Sequence, residues 1–232
     1  MKKIFVSLML LVGFASAQAE VTGNVGVTTD YRFRGMSQSQ TGVSLSGGVD
    51  YTNPNGLYVG NANSSVSSQL YPNGAGIESD FYAGAKRTYG GVTFDAGTMN
   101  YHYSRATTFN TSEVYLGAAT GPFSFKYSRS LTDYFGTAKT RGTQYYQAGV
   151  LFPVTDHLKL GARIGRTDVA NSKTLDYTDI AAGGYYDLGN GLTVSAGYFT
   201  NKAMGSAVKA ANTLNGEKLY KNGLVVALNK DF

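Results

Sequence analysis

Long stretches of this chain alternate apolar and polar residues one by one. That period of two puts successive side chains on opposite faces of an extended strand. Val21, Gly23, Val25, Val27, Thr29, Tyr31 and Phe33 share one parity, and Thr22, Asn24, Gly26, Thr28, Asp30, Arg32 and Arg34 hold the other. Val43, Leu45, Val49 and Tyr51 alternate with Ser44, Ser46 and Asp50 in the same way, as do Leu158, Leu160, Ala162 and Ile164 with Lys159 and Arg163. No helical period competes. About twelve strands are predicted, near 21–34, 41–52, 57–68, 78–89, 92–105, 111–120, 123–134, 143–152, 157–169, 176–188, 192–203 and 221–232.

The connections between these strands alternate between two length classes. Short turns fall at Asn53-Pro54-Asn55-Gly56, Gly90-Gly91, Gly121-Pro122, Pro153-Val154-Thr155-Asp156 and Gly189-Asn190-Gly191, where Gly and Pro supply the backbone angles of a tight reversal. Longer polar connections lie at 35–40, 69–77, 106–110, 135–142, 170–175 and 204–220. Soluble sandwiches use strands of roughly five to six residues and have no reason to alternate their turns. Strands of ten or more residues are long enough to cross a bilayer at a tilt. The expected fold is therefore all-β: a transmembrane antiparallel up-and-down β-barrel of about twelve strands, with short periplasmic turns and longer extracellular loops. Both ends of the barrel then lie on the short-turn side.

The two parities assign the two faces. On the apolar parity beside the short turns stand Tyr51, Tyr89, Phe94, Phe123, Phe152, Tyr186 and the terminal Phe232, a girdle at headgroup level; Tyr31, Phe33, Phe81 and Tyr146 are expected at the opposite rim. The other parity carries Asp30, Arg32, Arg34, Asp50, Asp80, Lys86, Asp95, Glu113, Lys126, Lys159, Arg163, Asp179, Asp187 and Asp231. An Arg or Lys facing lipid at the bilayer midplane costs about 2–4 kcal/mol, so these residues are expected to line the interior. Lys126, Lys159 and Arg163 come from the seventh and ninth strands, and Asp80, Asp95 and Glu113 from the fourth to sixth. Such a lumen would carry a field across its width that orients polar solutes. The opposing reading is an interior sealed by ion pairs.

Residues 1–19 read as a secretory signal peptide and 20–232 as the barrel. Lys2 and Lys3 precede the apolar run from Ile4 to Phe14, and Ala17-Gln18-Ala19 gives a small-x-small cleavage pattern after Ala19 or after Ala17. The chain has no cysteine, so disulfides and thiolate chemistry are excluded. No mature segment has the 18 or so consecutive apolar residues of a spanning helix. His102 and His157 lack partners at metal-ligand spacing, so no metal or cofactor is expected. His102 and Ser104, two apart, have the spacing of the His-x-Ser pair of outer-membrane phospholipases. Their neighbours do not match that family, and the chain is not read as an enzyme. No basic run or groove-reading element supports nucleic-acid binding.

The stretch Val21-Thr22-Gly23-Asn24-Val25-Gly26-Val27-Thr28-Thr29-Asp30-Tyr31-Arg32-Phe33-Arg34-Gly35-Met36-Ser37-Gln38 resembles the TorF family of porin-like proteins. So do Gly48-Val49-Asp50-Tyr51 and Gly56-Leu57-Tyr58-Val59-Gly60. That family is also catalogued as a conserved proteobacterial domain of unknown function. The resemblance covers about the first third of the mature chain and implies an outer-membrane barrel. The chain departs from it at Asn61-Ala62-Asn63, where family members often carry a Trp. Leu224, Val226, Leu228 and the terminal Phe232 resemble the closing strand read by the barrel assembly machinery, with Lys230 as a departure. The function expected is a porin or channel in the outer membrane of a Gram-negative bacterium, passing small hydrophilic solutes, with anionic ones as candidates. A closed surface-interaction or assembly scaffold is the alternative, and an outer-membrane lipid hydrolase the third reading. Expected partners are outer-membrane lipid, lipopolysaccharide, the assembly machinery through Phe232, and small solutes.

Overall fold

The computed structural model describes residues 19–232, so the proposed signal peptide lies almost wholly outside the described residues. Twelve strands form one closed antiparallel cylinder in chain order. They are β1 (Glu20–Thr28), β2 (Ser44–Thr52), β3 (Leu57–Ser65), β4 (Ile77–Tyr89), β5 (Val92–Tyr103), β6 (Thr111–Thr120), β7 (Phe123–Ser130), β8 (Gln144–Pro153), β9 (Leu158–Asp168), β10 (Tyr177–Gly189), β11 (Leu192–Lys202) and β12 (Gly223–Asp231). Helix is limited to α1 (Ser206–Ala211) and three single 3-10 turns. Among the described residues no helix is long and apolar enough to cross a membrane; a barrel crosses with its strands, because closure pairs every backbone group.

Closure is made by β1 and β12, in register from Asn24 opposite Asp231 to Thr28 opposite Ala227. Beyond that run, the Phe232 amide donates to the Gly23 carbonyl at 2.9 Å and the Thr29 amide to the Val226 carbonyl at 2.9 Å. The terminal aromatic is thus part of the seam.

Parity sorts the side chains as a barrel in lipid requires. Val25, Leu45, Val59, Leu116, Phe125, Leu160, Ile164, Tyr198 and Leu224 stand exposed on the outer face. Tyr51, Phe81, Tyr89, Phe94, Phe123, Phe152, Tyr186 and Phe232 also point outward and are exposed. Tyr146 lies outward too, packed on Tyr127 at 5.2 Å between ring centroids.

Tyr31 and Phe33 require a correction. They were assigned to the outer rim, but β1 ends at Thr28 and the chain then turns into the barrel. Tyr31 is only 8 % exposed, and Phe33 packs edge-on against Tyr101 and Phe135. Alternation alone could not detect the turn, since an apolar residue satisfied by lipid and one satisfied by a buried aromatic cluster look alike in sequence.

The inner wall accommodates its tyrosines by a size exchange with glycine. A Cβ on Gly84 would strike the Tyr58 ring, and one on Gly97 would approach the Tyr115 hydroxyl to 2.6 Å. Those rings therefore lie along the wall instead of projecting across the lumen. We expect Gly97→Val to force Tyr115 off the wall and destabilise the barrel by about 1–3 kcal/mol. On the outer face, Val226→Arg is expected to cost about 2–4 kcal/mol, the midplane penalty for a charge in lipid. Arg at the adjacent inward Ala227 should cost less than half of that. Reversible denaturation in lipid vesicles measures all three.

Candidate functional site: the barrel lumen

The connection between β1 and β2 does not extend outward from the cylinder but folds back into it. Residues Arg32–Phe33 and Met36–Ser37 pair as a small ribbon. Its tip turns at Arg34 and Gly35, with φ of +47° and +82°. Gly35 is pressed so closely on the β10–β11 wall that a Cβ there would stand 2.7 Å from the Asp179 Cβ. Only glycine combines that backbone angle with that approach.

Asp30 organises the ribbon. One carboxylate oxygen accepts from Arg32 Nε at 2.6 Å, and the other accepts from the Ser37 hydroxyl at 2.6 Å and the Ser39 hydroxyl at 3.2 Å. Arg32 also donates to the Lys221 carbonyl at 2.6 Å, joining the ribbon to the last long loop. Tyr31 donates to Glu78 of β4 at 2.6 Å, and Tyr103 of β5 donates to the other oxygen of that carboxylate. Burial, reinforced by the adjacent Glu78 carboxylate, pushes the Tyr31 hydroxyl well above the usual phenol range, which keeps it a donor.

Arg34 makes the longest reach. Its guanidinium donates to Glu113 of β6 at 2.6 Å and to the Tyr134 hydroxyl at 3.0 Å, and it lies over the Tyr145 ring of β8 at 4.1 Å. Apolar contacts flank it on both sides. Tyr31 and Phe33 join Tyr71, Tyr101, Tyr103, Phe109 and Phe135, while Met36 joins Tyr177 and Val208 of α1. The ribbon thus occupies the long-loop half of the lumen.

Asp30, Arg32 and Arg34 are therefore inside the barrel, but on this ribbon and not on the wall of the first strand. Arg163 on β9 is paired with Asp179 on β10, and the Tyr145 hydroxyl accepts from the same guanidinium at 3.1 Å. Asp50 accepts from the Tyr82 hydroxyl at 2.7 Å, and Asp95 from Tyr58 at 2.6 Å with Lys86 at 3.6 Å. Asp187 accepts from the Gly189 amide at 2.7 Å, a turn contact at the short-turn end. Asp80 faces inward beside Glu78 and Glu113. Alternation had missed Glu78 as a lumen residue, although it shares Asp80's parity.

The field expected across the lumen is consequently reduced, because Arg163, Arg34 and Lys86 each sit against a carboxylate. Lys126 on β7 and Lys159 on β9 remain without an ion-pair partner among the described residues. Lys126 rests over the Tyr115 ring at 4.1 Å, within the field of the Glu113 and Asp95 carboxylates. On β10, β11 and β12, which continue the wall from Lys159, the Tyr185 hydroxyl, Thr193 Oγ1, Asn229 Nδ2 and Asp231 Oδ2 are buried without a partner. Polar atoms of that kind are satisfied by water or by a polar solute. A cavity lies between the ribbon and this wall, lined by Thr28, Asp30, Arg32, Ser46, Ser195 and Asn229.

No three His, Asp or Glu side chains converge to hold a metal among the described residues. His102 points outward, and its Nδ1 lies 3.1 Å from Asn110 Nδ2. Ser104 follows the end of β5 and is exposed.

A closed twelve-stranded antiparallel cylinder with an apolar exterior and a polar, charged interior has the architecture of a porin-like β-barrel. The chain belongs to a bacterial protein family of unknown function, Gcw_chp, whose profile it matches over residues 13–232. That membership, and not the TorF grouping, is what the sequence match carries. No curated protein matches the sequence. Among solved structures the chain is similar to the KdgM porin, with a TM-score of 0.60 at 9 % identity over 91 % of this chain and 99 % of that one. A KdgM porin in complex with disordered oligogalacturonate matches at 0.59 and 8 % identity, over 92 % and 99 % of the two chains. The NanC porin matches at 0.58 and 11 % identity over the same shares.

Glu113→Ala should release the ribbon, since it strips a buried guanidinium of its partner at a cost of about 3–5 kcal/mol. Hydrogen exchange of the amides in 30–38 is expected to accelerate while β10 and β11 stay protected. The double variant with Arg34→Ala should recover part of the loss.

Proposed function

We propose that the protein is a small outer-membrane channel for passive diffusion of small hydrophilic, anionic solutes. The observation that carries this reading is two lumen lysines, Lys126 and Lys159, without an ion-pair partner among the described residues, together with buried polar atoms that no protein group satisfies, the Tyr185 hydroxyl beside Lys159 among them. A sealed scaffold has no use for either. Buried charge without a partner is costly in a closed interior, whereas in an aqueous passage it attracts a solute of opposite sign and lets it leave. Barrels of eight strands fill with side chains and those of sixteen or more hold open aqueous channels, so twelve strands accommodate a narrow path.

The fold shared with the KdgM and NanC porins, and the resemblance of the first strand pair to the TorF porins, support the same reading. That a barrel of this architecture accommodates oligogalacturonate supports an anionic cargo. The outer face supports placement in the outer membrane of a Gram-negative bacterium. Export by a cleaved leader ending at Ala17 or Ala19 accounts for the segment before Glu20, and insertion by the assembly machinery accounts for the role of Phe232 in the seam. Lys139, Arg141, Lys209 and Lys218 in the long loops would meet lipopolysaccharide phosphates.

Planar-bilayer recording tests the channel. Discrete conductance steps with an anion-selective reversal potential are expected, and Lys126→Glu with Lys159→Glu should move the selectivity toward cations. Absence of any discrete conductance would overturn the reading.

A further inference from the structure

The apolar exterior is interrupted on one side. On β3 the outward positions run Leu57, Val59, then Asn61 and Asn63. Ser79 on β4 lies in register with Asn63 and with outward His102 on β5, and Asn100, one outward position along β5 from His102, lies in register with Ser112 on β6. Apolar outward residues bracket these groups along the strands, with exposed Val59 before Asn61 on β3 and exposed Ile77 beyond Ser79 on β4. Asn61 stands in register with outward Val49 and Phe81.

Their hydrogen bonds are mutual and incomplete. Ser79 donates to Asn63 Oδ1 at 2.7 Å, Asn63 donates to Asn61 Oδ1 at 2.5 Å, and Asn61 donates to the Asp80 carbonyl at 3.1 Å. Ser112 donates to Asn100 Oδ1 at 2.7 Å, and Asn100 donates weakly to the Phe81 carbonyl at 3.4 Å. Each amide has two N–H donors, so Asn61 and Asn100 each retain an N–H with no acceptor among the described residues. Acyl chains offer no acceptor for them.

We infer that this face of the barrel, centred on Asn61, Asn63 and Asn100, is the contact through which two copies of the chain pair in the membrane. A second copy is the partner the chemistry selects. The patch holds no Lys, Arg, Asp or Glu and consists of amides, hydroxyls and the His102 imidazole, all of which both donate and accept. Turned on itself by a two-fold axis, it therefore presents an acceptor wherever it presents a donor. A charged partner would find no counter-charge there. The inference rests on the barrel standing in a bilayer, not on its conducting.

The chain's lack of cysteine makes the test direct. Single variants Asn63→Cys and Asn100→Cys, with Tyr198→Cys on the opposite wall as control, are reconstituted into phospholipid vesicles and treated with a short bis-maleimide. Cross-linking to twice the chain mass is expected at least five-fold above the control at one of the two patch positions. Equal yield at all three would overturn the inference. The same comparison in native outer-membrane vesicles should give the same homodimer, and an adduct with a different protein there would also overturn it. Asn63→Leu combined with Asn100→Leu should halve the particle mass in lipid nanodiscs while strand content stays unchanged; a dimer that persists counts against the patch. A monomer that still conducts removes this inference and leaves the channel standing.

Discussion

Every feature of this molecule depends on the backbone hydrogen bonds that join its first strand to its last. In a medium with no competing donors, an open sheet edge would leave a row of unpaired groups, each costing several kcal/mol. The β1–β12 register and the two extensions through Gly23–Phe232 and Thr29–Val226 remove that edge. Closure then dictates the rest of the wall. Once all twelve strands are tied side by side, period-two alternation allows no local exception without sending a charge into lipid or an apolar side chain into water.

Closure also creates an interior that must be filled or hydrated, and the chain divides it in two. The half near the long loops is filled by a ribbon whose tip is anchored to partners far away in sequence: Glu78 on β4, Glu113 on β6, Tyr145 on β8 and Asp179 on β10. Such anchoring needs charge as well as packing, because a loop held only by apolar contacts could slide between equivalent pockets. Asp30 and Glu113 instead fix Arg32 and Arg34 by directional bonds. The other half keeps tyrosines flat over glycines and retains unpaired polar atoms, the condition of a surface meant to be wet.

The sequence made the wall legible because a wall strand's constraint is local. Each residue's face follows from its neighbour's, and each tight turn carries its own Gly, Pro or Asn. The ribbon was not legible for the opposite reason. Alternation continues unbroken through Tyr31 and Phe33, and nothing nearby announces that their partners are Glu78, Tyr101 and Phe135. The one local sign is Arg34-Gly35, a charged residue and a glycine at a reversal with no short turn beside it. Pairing of charges was illegible on the same grounds. Parity places Arg163 inside but cannot show that Asp179 on the next strand neutralises it. The polar departure at Asn61-Ala62-Asn63 was visible as a break in pattern, and its lipid-facing position follows only from register.

The position of each cation along the lumen bears on how a solute would move. Arg32 and Arg34 belong to the ribbon in the long-loop half and are both fully committed to carboxylates. Arg163, near the middle of β9, is committed to Asp179. Lys159 stands close to the short-turn end of β9 and Lys126 at the middle of β7, and neither has an ion-pair partner among the described residues. The lumen cations without an ion pair thus lie between mid-barrel and the short turns, and neither belongs to the ribbon. An anion entering past the ribbon would meet guanidinium groups already neutralised and gain little by stopping there. Its attraction would begin beyond the ribbon, at Lys126 and Lys159. In the proposed channel, arginines neutralised within the ribbon would avoid a deep well where the lumen is filled, and lysines without an ion pair beyond it would draw a solute on.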